Sequence, residues 1–224
     1  MSFIVAIDGT AGSGKGTMAN AIANDLGFIS IDTGATYRCV ALASIRENIP
    51  YEDKEGIIKL LDRIEIDIQG DNLNPIFLLN GEDVSKEIRS AEVTKIVSQV
   101  SCIPEVRLKL VELQRKLAIG KNVVMDGRDI GTYVFPNADV KIYLDATEEV
   151  RAKRRWEENQ EKGINMTYEE TLENIRMRDK QDKEKEIGAL KKADDAIVID
   201  TTDLSIEEVK EKIEKIVKSK YVVK

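Results

Sequence analysis

The sequence predicts an α/β fold, with helices on both faces of a five-stranded parallel sheet. Three observations carry this. Short apolar runs without alternation recur along the chain, each ending in acidic or polar residues. Helix-period segments separate them. A glycine-rich stretch, GTAGSGKGT from Gly9 to Thr17, follows the first run directly.

The first run is FIVAID (residues 3–8). Its length and lack of alternation fit a strand buried on both faces, as parallel strands are. The glycine stretch then opens a helix, marked by Met18, Ile22 and Leu26 at spacing four and stopped by Gly27. FISID (28–32) is the second run, and DTGATYR (32–38) follows its end. Farther on the period changes. Ile64, Ile66 and Ile68 alternate with polar residues, a Gly/Asp/Asn turn and an apolar run (76–79) follow, and Asn80-Gly81 makes another turn. That pattern reads as a small antiparallel meander inserted in the parallel core.

After Pro104 a helix is marked by Val106, Leu110, Leu113 and Leu117 and ended by Gly120. VVMD (123–126), KIYLDA (141–146) and AIVID (196–200) supply the remaining strands. Residues 151–192 are helical and dense in charge, with Thr167 and Glu170 as a capping box and EKGINMT as an exposed loop. Ser205 and Glu208 form a second capping box before Ile206, Val209, Ile213 and Ile216. The expected division is a core of residues 1–35, 106–150 and 188–224, an insert-bearing region of 36–105, and a helical lid of 151–187.

Composition limits the chemistry. The chain has 224 residues, no histidine and two cysteines, Cys39 and Cys102. Histidine-based acid–base, triad or zinc chemistry is thereby excluded, and neither cysteine has a metal-like spacing. No disulfide framework is expected either, which points to a cytoplasmic address. The start, MSFIVAIDG, lacks a basic segment and enters a strand pattern, so no signal peptide is expected. No apolar run approaches the ~18 residues that span a membrane. A net charge of −7 and a pI near 5.0 argue against nucleic-acid partners. The local basic cluster RAKRR (151–155) suits a small anionic ligand better than a polyanion.

The glycine stretch is nearly a Walker A phosphate loop, in the strand–loop–helix setting that motif requires. Gly9, Gly12, Gly14 and Gly16 allow close backbone approach, so N–H groups and the helix N-terminus can face phosphate oxygens while Lys15 reaches the outer phosphates. Gly16 stands where the usual loop has Ser or Thr for Mg²⁺, and Thr17 comes one residue late. DTGATYR lies at the carboxyl edge of the sheet, where open α/β sheets bind ligands, and Thr33 and Arg38 suit an incoming phosphate. VVMDGRDIGT (123–132) places Asp126 as a Walker B acid, with Arg128 and Asp129 just beyond.

These segments, with the SQV…PEVR stretch (98–107), VFPNADVKIYLDA and RD-x-x-D (178–182), resemble the bacterial-type cytidylate kinases over nearly the whole chain. The resemblance implies a P-loop kinase fold with an acceptor-side β insert and a mobile lid. It implies transfer of the γ-phosphoryl group of ATP to CMP and dCMP, by a monomer whose partners are small nucleotides. Mg²⁺ would be held by nucleotide phosphates and waters, and Thr17 would touch phosphate. Thr33, Arg38 and Arg128 would hold the acceptor phosphate, and Ser98, Arg107 and Asp129 would read cytosine. Arg178 and Asp182 would hold the ribose, with Lys15, Arg128 and Arg178 serving catalysis. The family usually has arginine and then Pro-Leu where this chain has Lys185 and GAL (188–190), and lysine lacks the planar fork of arginine. Arg178, Asp182 and Lys185 are expected on one helix face, and Arg151, Arg154 and Arg155 on another, over the phosphates. A kinase of a small hydroxyl metabolite such as shikimate would use a similar loop without the base-reading set. A GTP-hydrolysing switch would need an N-K-x-D or T-K-x-D motif, which the chain lacks.

Overall fold

The computed structural model describes residues 2–70 and 75–221. Beyond Gly70, the Gly/Asp/Asn turn expected in the insert lies outside the described residues. β1 (Ile4–Gly9) enters the phosphate loop, α1 (Lys15–Leu26) leaves it, and β2 (Ile29–Asp32) runs straight into α2 (Thr33–Arg46). α3 (Lys54–Leu61) leads into the insert, β3 (Ile66–Gly70), β4 (Pro75–Leu79) and β5 (Glu82–Asp83). α4 (Ala91–Val100) and α5 (Pro104–Leu117) return the chain to β6 (Val123–Gly127) and β7 (Val140–Asp145). The helical hairpin α6 (Glu148–Glu161) and α7 (Tyr168–Glu184) precedes β8 (Ile197–Asp200) and α8 (Ile206–Tyr221).

All five expected core strands join one sheet in the order β2–β6–β1–β7–β8, every pair parallel. Side chains alternate across a strand, so β1 serves both faces. Val5 and Ile7 pack with Met18 and Ile22 of α1 and Ile213 of α8, while Ala6 packs with Met125, Ile31 and Val111 of α5. Apolar burial on both sides explains why β1 and β6 read as unbroken runs. At the amino ends of the strands Phe3, Phe28 and Tyr221 meet edge to face, 5.0–5.9 Å between ring centres.

The insert forms a separate antiparallel sheet, β3–β4–β5. Asn80 and Gly81 both have left-handed φ, 52° and 82°, as a type I′ hairpin turn demands. Phe77 and Leu79 pack on α2 side chains in a second core. Both capping boxes form, Thr167 with Glu170 and Ser205 with Glu208. Cys39 and Cys102 are free thiols. No described helix is long and apolar enough to cross a membrane.

Candidate active site

The carboxyl ends of the strands carry the chemistry. Gly14 adopts φ +87° as the residue before α1, and that turn aims the N-terminus of the helix back over the loop. Lys15 is buried and its Nζ donates to the Thr10 carbonyl at 2.8 Å. Burial and the nearby Arg128 charge lower its pKa, with Asp126 opposing. Gly16 lies inside the first turn of α1, with Thr17 exposed beside it.

Asp32 and Asp126 are opposite one another in the β2–β6 register. Burial, reinforced by the Asp32 charge, pushes the Asp126 carboxyl up to about 7, against the pull of Lys15 and Arg128. A Cβ at Gly16 would stand 3.8 Å from Asp126 Oδ2. Among the described residues no cluster of acidic or thiol groups could enclose a metal ion by itself.

Next to this edge stands a network of charge. Arg128 Nε donates to Asp182 Oδ2 at 2.6 Å, and Lys185 Nζ donates to Asp182 Oδ1 at 2.7 Å. Burial disfavours ionised Asp182, yet Arg128, Lys185 and Arg178 hold its carboxyl well below the usual range. α7 ends at Glu184 and Lys185 is extended (ψ 136°), so Lys185 meets Asp182 from just beyond the helix rather than along the expected face. Arg178 is half-buried and makes no hydrogen bond or ion pair among the described residues. Burial and the charge of Arg128 lower its pKa to about 10. Asp182 lies close enough for its charge to oppose that shift, though it makes no direct ion pair with Arg178.

The second cluster is deeper. Arg107 on α5 and Asp129, just past β6, form a buried ion pair with Nη2–Oδ2 2.5 Å. Arg107 is 2% exposed, and its Nη1 also donates to the Ser101 carbonyl. The Tyr37 ring lies 5.3 Å from its guanidinium carbon. Arg107 Nε and the nearby Ser98 Oγ are buried without a partner among the described residues. The Tyr37 hydroxyl is buried without a partner as well, and an unpaired buried donor carries a desolvation cost of about 1–3 kcal/mol. Gly188, at φ +63°, lies over the pair, and a Cβ there would overlap the Asp129 carboxylate and the Arg107 guanidinium.

Other expected residues have different tasks. The Thr33 hydroxyl donates to the Asp126 carbonyl at 2.7 Å, so its proton is committed to the end of the strand. Arg38 Nη1 bonds the Ile88 carbonyl and Thr94 Oγ1, tying α2 to the acceptor-side region. The three arginines of α6 do not act together. Arg151 is buried against Asp179 and the Ala11 carbonyl, and Arg154 binds Thr201. Arg155 pairs with the half-exposed Glu158, and its charge is felt at Arg38 and Arg178. Sequence reasoning gave no role to Asp8, Tyr37, Asp179 or Gly188, and did not pair Arg151 with Asp179. Tyr37, Asp179 and Gly188 lie inside the segments DTGATYR, RD-x-x-D and GAL, but nothing local marks them for these contacts; Asp8 shows only as the acidic end of the first strand.

A parallel sheet with a phosphate loop after its first strand, a cationic cluster at its carboxyl edge and a separate buried polar cluster defines a phosphate-loop phosphotransferase. The cytidylate kinase family model matches residues 5–219. A cytidylate kinase of Caldanaerobacter subterraneus is 51% identical over 93% of this chain and 92% of its own length. One from Caldicellulosiruptor bescii is 48% identical over the same shares. The chain belongs to the cytidylate kinase family. Among solved structures, an uncharacterised protein of Eubacterium ventriosum superposes with a TM-score of 0.52 over 97% of this chain and 99% of its own, at 14% identity, a likeness of fold alone.

Proposed function

We propose that this protein transfers the γ-phosphoryl group of Mg·ATP to CMP and dCMP, giving ADP and the cytidine diphosphates. The observation that carries the acceptor is the buried Arg107–Asp129 pair with two unsatisfied donors beside it, Arg107 Nε and Ser98 Oγ. Cytosine offers an N4 amine beside N3 and O2 acceptors. Asp129 accepts from the amine, while Arg107 and Ser98 donate to the other two.

The loop N–H groups and Lys15 hold the donor phosphates. Arg38, Arg128 and Arg178 hold the acceptor phosphate, and Asp182 with Lys185 faces the ribose. An oxygen of the CMP phosphate bonds to the γ-phosphorus in line as the bond to the β–γ bridging oxygen breaks. The transition state is loose, so the protein contributes placement and charge neutralisation rather than covalent help. Asp126 fits a water-mediated contact to Mg²⁺, which supplies further neutralisation of the phosphates when bound. Free cysteines suit a reducing, cytoplasmic setting, and we read the working unit as a monomer.

A coupled assay of ADP release across CMP, dCMP, UMP, AMP, GMP and TMP tests the reading. CMP and dCMP should turn over fastest. Equal or faster turnover of AMP would overturn it.

A further inference from the structure

Asp8 belongs to neither cluster by sequence, yet it touches the roots of both. Its main chain lies in β1 immediately before Gly9 and the phosphate loop. Its side chain, 5% exposed, crosses to the turn after β6. There Oδ1 accepts from the Ile130 N–H and Oδ2 from the Gly131 N–H, each at 2.7 Å.

Those two N–H groups begin a single π-turn, Ile130–Val134. Its ladder runs from Tyr133 and Val134 N–H to the Asp129 carbonyl, and from Phe135 N–H to the Ile130 carbonyl. π-turns are rare and strained, and their first N–H groups have no partner within the turn. A carboxylate at that end satisfies both and complements the local dipole. Burial raises the Asp8 carboxyl to about 6, with the two N–H bonds working the other way. An apolar residue would avoid that cost, so the carboxylate is held there for what it binds.

We propose that Asp8 is a positioning residue that fixes Arg128 and Asp129, the two acceptor-reading groups directly ahead of the turn, relative to the base of the phosphate loop. This rests on reading those two residues as acceptor contacts. The Asp8 side chain governs the acceptor site although its main chain belongs to the donor site. Loosening the clamp frees the turn carrying Asp129 and leaves the loop glycines and Lys15 in place.

The test is Asp8→Asn, whose amide keeps the shape but offers one acceptor oxygen for two N–H groups. Steady-state kinetics with the monophosphate that the wild type uses best should show the acceptor KM raised about 10-fold or more, the scale of one charge-assisted hydrogen bond. The KM for ATP should stay near the wild-type value. Gly131→Ala repeats the test without altering β1: its Cβ would sit 3.3 Å from Asp8 Oδ2 and crowd the same contact, with the flexible Lys141 stem, at 3.2 Å, the other neighbour that must give. If Asp8→Asn does not fold, this variant decides. A parallel rise in both KM values, or no rise in either, overturns the proposal. Because the acceptor is chosen by the wild type, an error in the cytosine assignment would appear in the monophosphate panel and not here.

Discussion

Arg151 and Asp179, one from each helix of the α6–α7 hairpin, form a buried ion pair 2.7 Å long that also grips the phosphate loop. Arg151 Nη1 donates to the Ala11 carbonyl at 3.0 Å, and Asp179 Oδ1 accepts from the Ala11 N–H at 3.4 Å. Both sides of one loop residue are thus tethered to the base of the hairpin. In the closure proposed here, the moving part is the distal part, beyond Arg151 on α6 and before Asp179 on α7.

Breaking that pair should be severe. Removing one partner of a buried ion pair leaves an uncompensated charge, so Asp179→Ala should lower unfolding free energy by about 3–5 kcal/mol in urea titration. Replacing both, as Arg151→Met with Asp179→Leu, should recover most of the stability, while the KM for ATP remains raised because Ala11 is no longer held. A loss below about 1 kcal/mol in the single variant would mean that the pair is solvated.

The anchored base of the hairpin places the expected opening at its far end. Limited trypsin digestion of the free protein should cut first at Lys162, in the exposed loop beside Gly163. A bisubstrate analogue should slow that cut, since closure orders the loop over the phosphates. Cleavage at the same rate with the analogue bound would contradict a moving lid.

The Asp126 carboxyl gives a pH signature. Its folded pKa is raised from the ordinary 3.8 to about 7 by burial and by Asp32. Folding therefore favours the neutral acid, whose stabilising effect is complete below the unfolded value and is lost as pH rises through about 7. Asp126→Asn cannot ionise, so its stability relative to the wild type should grow between pH 4 and pH 8, by roughly 1–3 kcal/mol. Asp182, whose pKa is depressed, loses its contribution on acidification in both proteins and cancels from the comparison. A difference that stays constant across that range would show that Asp126 ionises freely.

The central strands were legible because they are buried on both faces: Val5, Ile7, Val124 and Met125 leave no polar alternation to confuse the reading, while the exposed edge strand β8 showed only as a short apolar run. Caps at Thr167 and Ser205 and the Asn80-Gly81 turn were legible because local chemistry decides them. α2 was not, since burial from Ala35 and Thr36 through Cys39 to Ser44 removes the polar face that marks a surface helix. Arg151 shows the limit for the site. The sequence places it among basic residues on a charged helix, and only the tertiary fold brings Asp179 and Ala11 against it. The Thr33 hydroxyl is similar: its commitment to the Asp126 carbonyl is a contact across 93 positions of chain.

The central claim is that Asp129 reads the amine of cytosine, and the comparison of CMP with UMP in Asp129→Asn tests it most directly. UMP carries a carbonyl oxygen where CMP carries the amine, so the carboxylate favours one and repels the other. Asparagine keeps the shape, removes the charge, and can donate or accept. It also leaves Arg107 without its counter-ion, a loss that falls on both substrates alike and drops out of their ratio. The ratio of kcat/KM for CMP to that for UMP should fall about 5- to 150-fold, the worth of one base-edge contact. If both substrates lose activity by the same factor and the ratio holds, Asp129 only orients its neighbours and the account of base recognition is wrong.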